Sequence, residues 1–326
     1  MYNVEIVGTG SFVPEHIVTN HDLTALVETS DEWIRQMTGI EERRISLAED
    51  TADMGALAAK RALENCGSHP EEIELIIVAT VTSTYLFPST ACQIQTMLGA
   101  SKATAFDISA GCAGFIYGLS IARQYIKSGL FETALVIGAE VLSKITDWED
   151  RSTCVLFADG AGAAVLKRGE VGIVSEFTGA DGRGGKNLNC LSRTLKNCFL
   201  PAEDNGPYYT TMDGKEVFKF ALKVVPECIQ RVLEGTGYAL EEVKYFIPHQ
   251  ANVRIVEAVA KKLSIENEKF IINMHKYGNT SSASIPIALD EMSREGLLLP
   301  GDLVCIAGFG AGYTYGAHLI KWTKNA

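Results

Sequence analysis

The 326-residue chain lacks the features that would place it in a membrane, on nucleic acid or around a metal. No apolar run approaches the ~20 residues needed to span a bilayer. Basic residues are in deficit: 29 Lys and Arg against 40 Asp and Glu give a net charge of −11. That balance argues against general affinity for nucleic acid or anionic lipid, although it leaves room for a local basic patch. The eight cysteines contain no C-x-x-C pair, so neither a zinc site nor another metal is expected. The start, Met-Tyr-Asn-Val-Glu-Ile-Val, has neither the basic beginning nor the apolar centre of a secretion signal. Free thiols in a reducing cytoplasm are therefore expected rather than a disulfide framework. Gly8-Thr-Gly10 lacks the third glycine of a dinucleotide fingerprint, and Pro14 follows where a helix should run.

What remains is an ordinary globular balance of 47% hydrophobic and 21% charged residues, long enough for one large domain or two. Helical spacing alternates with short apolar runs, an α/β pattern with buried strands. Met54, Leu57, Ala58, Ala62 and Leu63 share a helix face that ends at Gly67, and Glu72–Thr80 reads as a strand. Further strands are expected at Val4–Gly10, Ala105–Ile108, Thr133–Gly138, Cys154–Phe157 and Ala163–Leu166, with a turn at Asp159-Gly-Ala-Gly162. Between Thr178 and Asp213 periodicity fades into Gly-, Asn- and Cys-rich sequence containing Pro201 and Pro207. A loop of that length is usually functional or disordered. Its opening, Asp181–Lys186, lacks the strand and lysine–hydroxyl pair of a phosphate-binding loop.

The organisation then repeats. Leu63-Glu-Asn-Cys-Gly-Ser-His-Pro-Glu-Glu-Ile73 is echoed by Leu233-Glu-Gly-Thr-Gly-Tyr-Ala-Leu-Glu-Glu-Val243 at a constant offset of 170 residues. Each copy follows an amphipathic helix and precedes a strand. The reading is a duplicated α/β chain with halves 1–170 and 171–326, whose equivalent element ends meet at a shared junction.

Chemistry-bearing residues fall at such ends. Cys112 lies between the Ala105–Ile108 strand and a helix carrying Phe115, Leu119 and Ala122 on one face. A helix N-terminus favours an anion by roughly 0.3–1 kcal/mol, so a thiol pKa below the usual value is expected. The competing reading is a small buried thiol. His249, in Pro248-His-Gln-Ala-Asn252, occupies the corresponding place in the second half. Asn279, in Tyr277-Gly-Asn-Thr-Ser-Ser-Ala283, precedes a helix it could simply cap. Gly308-Phe-Gly-Ala-Gly312 joins two strands, either as a plain turn or as a backbone surface that faces an oxyanion.

Together, Asp107–Phe115, Pro248–Asn252, Tyr277–Ala283 and Gly308–Gly312 resemble the signature blocks of β-ketoacyl-acyl carrier protein synthase III, the initiating condensing enzyme of fatty-acid synthesis. The resemblance runs nearly end to end. It implies a thiolase-like α/β fold of five αβαβα layers, a homodimer, and no permanently bound cofactor. It also implies that Cys112 is acylated by an acyl-coenzyme A substrate and then condensed with malonyl-acyl carrier protein. His249 and Asn279 would complete the catalytic set, and the amides of Cys112 and Ala311 would hold the oxyanion. Trp33, Thr38, Arg151 and Asn252 would bind coenzyme A. Lys219, Arg254, Lys261 and Lys262 would receive the carrier protein, and Phe87 would cross the dimer to bound the acyl pocket. Met37 and Glu41 depart from the family pattern, each standing where a basic residue is usual. With the unusual Asn187–Tyr209 insert, they keep open a specialised-pathway relative handling a non-standard acyl group. A non-catalytic binding protein of the same fold is disfavoured because Cys, His and Asn are all present.

Overall fold

A computed structural model describes residues 2–195, 197–199 and 208–324; Pro201 and Pro207 lie outside the described residues. Nine strands form two principal sheets. In the first, β1 (Asn3–Phe12), β2 (Leu75–Ala79), β3 (Thr104–Ile108), β4 (Thr133–Val141) and β5 (Asp159–Gly169) stand in the order β1-β5-β4-β2-β3. β3, β2 and β4 are parallel, while β5 runs antiparallel to both β4 and β1. In the second, β6 (Ile173–Ala180), β7 (Tyr245–Pro248), β8 (Leu303–Gly310) and β9 (Thr314–Lys321) stand in the order β6-β9-β8-β7. Here the pair β7/β8 is parallel and the rest antiparallel. A single parallel bridge from Phe270 to Phe246 marks the place that β3 fills in the first sheet. β5 and β6, adjacent in the chain, belong to different sheets.

The period-2 alternation of each central strand feeds two separate cores. Ile76 and Val78 of β2 pack with Met54, Ala58 and Ala62 of helix α1 (Thr51–Cys66) and Ile94 of α2 (Thr90–Leu98). Leu75 and Ile77 point the other way, onto Phe115 and Leu119 of α3 (Gly114–Lys127). From the second sheet, Val304 and Ile306 of β8 reach the same middle layer, completed by Ile285 and Leu289. Leu303 and Cys305 turn outward onto α4 (Gly214–Arg231) and α5 (Val253–Leu263). With α6 (Ser284–Arg294) beside α3 in the middle, the layers read α, β, α, β, α.

Three local expectations are corrected, the first two with one physical cause. Asp159-Gly-Ala-Gly162 is the start of β5 rather than a turn, and β1 continues through its glycines to Phe12. These glycines serve close packing: a Cβ on Gly162 would lie 2.7 Å from the Ile287 nitrogen, and one on Gly10 2.3 Å from the Ala58 carbonyl oxygen. The apolar Cys154–Phe157 run is also not a strand. A helical turn, Arg151–Cys154, precedes it, with Asp150 accepting from the Ser152 N–H as its cap. Only Phe157 adopts strand pairing, in an isolated bridge to Asn279.

Candidate active site

β3 delivers the chain to Gly111, whose φ of +53° turns it into the short helical segment Gly111–Ala113 ahead of α3. From the second sheet, β8 ends at Gly310, where a Cβ would lie 2.3 Å from the Cys112 nitrogen. A Cβ on Gly111 would lie 2.7 Å from the Ala311 nitrogen. The two turns thus meet backbone to backbone, and Thr314 Oγ1 pins them by donating to the Ala110 carbonyl at 2.6 Å. Cys112 and Ala311 share one wall of a cavity of about 940 Å³ with Val81, Leu142, Phe157 and Leu188.

The thiol does not have the lowered pKa expected of a helix N-terminus. Burial pushes it up to about 12, with the negative charge of Glu140 adding to the effect; the Ser281 hydroxyl pulls in the opposite direction. Desolvation of a thiolate outweighs a dipole contribution of about 1 kcal/mol.

His249 follows Pro248 at the end of β7, and its N–H donates to the Ala307 carbonyl at 2.8 Å. The ring is buried, stands edge-on to Phe309 and has Nδ1 2.7 Å from Ser284 Oγ. Ser284 Oγ already accepts the Gln250 N–H. A Ser284 hydrogen directed at Nδ1 places the ring proton on Nε2. Burial lowers the imidazole pKa to about 3, so the ring is neutral.

Asn279 is held at both backbone groups: its N–H donates to Leu156 at 2.9 Å and its carbonyl accepts from Ala158 at 3.0 Å. Its side-chain Oδ1 accepts the Ser281 N–H at 2.9 Å. Asn279 is not the helix cap that the sequence allowed, since Thr280 and Ala283 hold the cap positions; its bond to Ser281 closes a local turn that occupies the oxygen and leaves the NH₂ to donate. His249 and Asn279 are not lining residues of the large cavity; Asn279 is joined to it through Ser281, and His249 packs beside Gly308 on the strand that leads to Ala311.

The matched family descriptions are "3-Oxoacyl-[acyl-carrier-protein (ACP)] synthase III" over residues 106–182 and its C-terminal counterpart over 233–322. The β-ketoacyl-[acyl-carrier-protein] synthase III of Clostridium novyi is 53% identical over 323 residues, 99% of this chain and 100% of that protein. That of Clostridium acetobutylicum is 51% identical over 325 residues, again 99% and 100%. The chain belongs to the 3-oxoacyl-[acyl-carrier-protein] synthase III family. Among solved structures, the synthase III of Aquifex aeolicus superposes with a TM-score of 0.91 at 48% identity, covering 98% of this chain and 100% of that one. The priming β-ketosynthase of the R1128 polyketide pathway gives 0.93 at 36% identity, covering 99% and 97%. The chain is thus an acyl-transferring condensing enzyme with the thiolase-like fold that the motifs implied.

Of the residues read as coenzyme A contacts, Trp33 and Arg151 are together, the guanidinium carbon 4.5 Å from the ring centroid. Thr38 is buried, donating to Ile34 O at 2.7 Å and accepting from Ile40 N–H at 3.0 Å, so its hydroxyl closes its own helix end. Asn252 caps α5 through Oδ1 and donates from Nδ2 to the Met37 carbonyl at 2.9 Å. It thereby joins the helix Asp31–Thr38 to α5. Glu41 pairs with Arg35 at 2.5 Å, and Arg35 also meets Asp31 at 2.8 Å, so two carboxylates offset that guanidinium.

Lys219 lies on α4, while Arg254, Lys261 and Lys262 lie on the adjoining α5. Lys219 pairs with Glu216 at 2.6 Å, and Lys262 donates to the Leu222 carbonyl at 2.9 Å. Phe87 is not in its own chain's cavity; it is 84% exposed, beside exposed Leu86 and Tyr85.

The segment that lost periodicity has structure of its own. Gly182–Asn187 forms a 3-10 turn against Tyr313, and Leu188–Cys190 pairs antiparallel with Thr210–Met212. Leu188, Leu191, Tyr208 and Thr210 from this segment line the cavity. Sequence reasoning missed Glu140, Ser281 and Ser284. The signal for Glu140 was present: it is the single acid in the otherwise apolar Ala134–Val141.

Proposed function

We propose that Cys112 takes an acyl group from acyl-coenzyme A and that the acyl-enzyme is condensed with malonyl-acyl carrier protein, the first carbon–carbon bond of fatty-acid synthesis. The observation that carries this reading is Cys112 at the wall of a large, mostly apolar cavity, with two backbone turns in contact beside it. Attack of the sulfur on the thioester splits one transfer into two easier steps. The developing oxyanion is held by the N–H groups of Cys112 and Ala311.

In the second step malonyl-acyl carrier protein loses carbon dioxide. His249 Nε2–H and the Asn279 NH₂ donate to the thioester oxygen as the enolate forms. Losing one such donor costs about 2.7–4 kcal/mol of transition-state stabilisation. Both groups suit the role because neither changes charge near neutral pH. The carbanion then attacks the acyl-cysteine and releases a β-ketoacyl product.

Around this centre, Trp33 and Arg151 clasp the adenine of coenzyme A, and Thr38 and Asn252 flank the pantetheine. Lys219, Arg254, Lys261 and Lys262 receive the acidic carrier protein. Phe87 crosses to the partner of a cytoplasmic homodimer and bounds its acyl pocket. The halves 1–170 and 171–326 arise by duplication; the matching strand orders of the two sheets support this. Intact-mass analysis after incubation with short acyl-coenzyme A tests the first step. It should show one acyl adduct on the wild type and none on Cys112→Ala; an adduct persisting on the variant overturns the assignment.

A second reading is favoured by the Glu41–Arg35 pair, which removes positive charge from the expected phosphate-binding face. In it, the same fold serves a specialised pathway with a non-standard acyl donor. Ordinary turnover with acetyl-coenzyme A and malonyl-acyl carrier protein counts against that reading.

A further inference from the structure

One carboxylate inside the molecule has no part in the chemistry above. Glu140, near the end of β4, is fully buried. Its Oε2 accepts from Thr80 Oγ1 at 3.2 Å, the Val81 N–H at 3.1 Å and Thr82 Oγ1 at 2.7 Å. Its Oε1 accepts from Ser281 Oγ at 3.2 Å and Ser282 Oγ at 3.0 Å. The single Ser282 hydrogen also meets the Ala79 carbonyl at 2.8 Å, so four donors are committed to the carboxylate and suit its acceptor-only, ionised form. Burial nevertheless holds its pKa above the ordinary carboxylate range, which makes it readier to take a proton than a surface acid.

Ser281 links this carboxylate to the nucleophile. It lines the cavity with Cys112, in the Ser281–Ala283 turn that packs against Gly111–Ala113, and its hydroxyl acts to lower the thiol pKa. Its φ is +51°, a region in which glycine is at ease and a side chain is not. A residue held in such a conformation at a reactive site points to a side chain with a function there.

We propose that Ser281 and Glu140 form a relay that accepts the Cys112 proton during acylation; this rests on Cys112 being the nucleophile. The Sγ–H bond breaks and its proton passes to Ser281 Oγ, while the Ser281 proton passes to Glu140 Oε1. The sulfur electron pair forms the bond to the thioester carbonyl carbon. When the tetrahedral intermediate collapses, the C–S bond to coenzyme A breaks. The departing thiolate recovers the proton from Glu140 through Ser281, leaving acyl-cysteine and free coenzyme A thiol. In this relay Ser281 exchanges a proton with the reacting sulfur and is a catalytic residue; Glu140 acts through it as a positioning residue.

The other ionisable groups nearby are accounted for. His249 is buried and neutral. Lys144 donates to the Thr82 carbonyl at 2.9 Å and is paired with Asp50. Asp159 accepts from Ser143 and Ser46.

The test is the pH dependence of Cys112 alkylation by iodoacetamide, followed on the Cys112 peptide by mass, in full-length wild type, Ser281→Gly and Glu140→Gln. A proton that stays within the pair makes wild-type reactivity nearly flat across neutral pH. Both variants should lose that plateau, react at least about tenfold more slowly at pH 7, and climb about tenfold per pH unit. A buried negative charge that merely opposes the thiolate predicts the reverse, with Glu140→Gln reacting faster. That result, or wild-type behaviour of Ser281→Gly, overturns the relay. Should Glu140→Gln fail to fold, Ser281→Gly decides alone, since glycine suits the backbone there. Acylation of wild type but not Cys112→Ala upholds the nucleophile whichever way the relay result falls.

Discussion

Gly310 of the second sheet lies against the Cys112 backbone of the first so closely that a Cβ would come within 2.3 Å of the nitrogen. This contact sets the distance between the turn that carries the nucleophile and the turn that carries Ala311. Gly310→Ala must push the two apart, because a backbone atom cannot yield as a flexible side chain does. We expect a folded protein with Cys112 acylation reduced about 10²–10³-fold, the loss typical of one oxyanion donor, measured by rapid-quench mass analysis.

His249 makes a prediction about stability as well as catalysis. Its folded pKa of about 3 lies below its value in an unfolded chain, about 6.5. Between these values the unfolded state binds more protons, so stability rises with pH across that window and is lost as pH falls. At pH 5 the loss from this residue is on the order of 2 kcal/mol. Melting of His249→Gln should therefore fall less steeply from pH 7 to pH 5 than that of wild type.

The stacking of Arg151 on Trp33 at 4.5 Å leaves no space for a ring between them. A flat ring needs about 3.5 Å on each face, so a bound adenine requires Arg151 to swing outward. Arg151→Ala and Trp33→Ala should each raise KM for acyl-coenzyme A about three- to tenfold, with kcat after saturation little changed. Steady-state kinetics with a truncated pantetheine thioester should show no such difference.

Glu41 offers the opposite change. Removing its charge frees Arg35 from one of two carboxylates. Glu41→Gln should tighten coenzyme A binding by roughly two- to fivefold at low ionic strength, an effect that titration calorimetry should see shrink as salt is added.

Much of this architecture was legible because buried strands and helix faces announce themselves by periodicity. Cys112 and His249 stood out at the ends of apolar strands and Asn279 after a turn before a helix, each a weak signal until the four motifs were read together. Features set by contact between distant segments were not legible. Gly162 reads as a turn in sequence and is a packing site, because Ile287 that crowds it lies 125 residues away. The raised thiol pKa was hidden for the same reason: burial by cavity walls and the charge of Glu140 come from other elements. Phe87 shows a limit of a single chain, being exposed where its proposed role needs a second copy.

The most direct measurement of the central claim is a two-stage mass experiment. Enzyme is loaded with acyl-coenzyme A, freed of excess, and then given malonyl-acyl carrier protein. In wild type the Cys112 adduct should disappear as β-ketoacyl carrier protein and carbon dioxide appear in equal amount. Asn279→Ala should load normally yet discharge about 10²–10³-fold more slowly. Discharge of the adduct to water without a condensed product, or unhindered discharge by Asn279→Ala, would contradict the account.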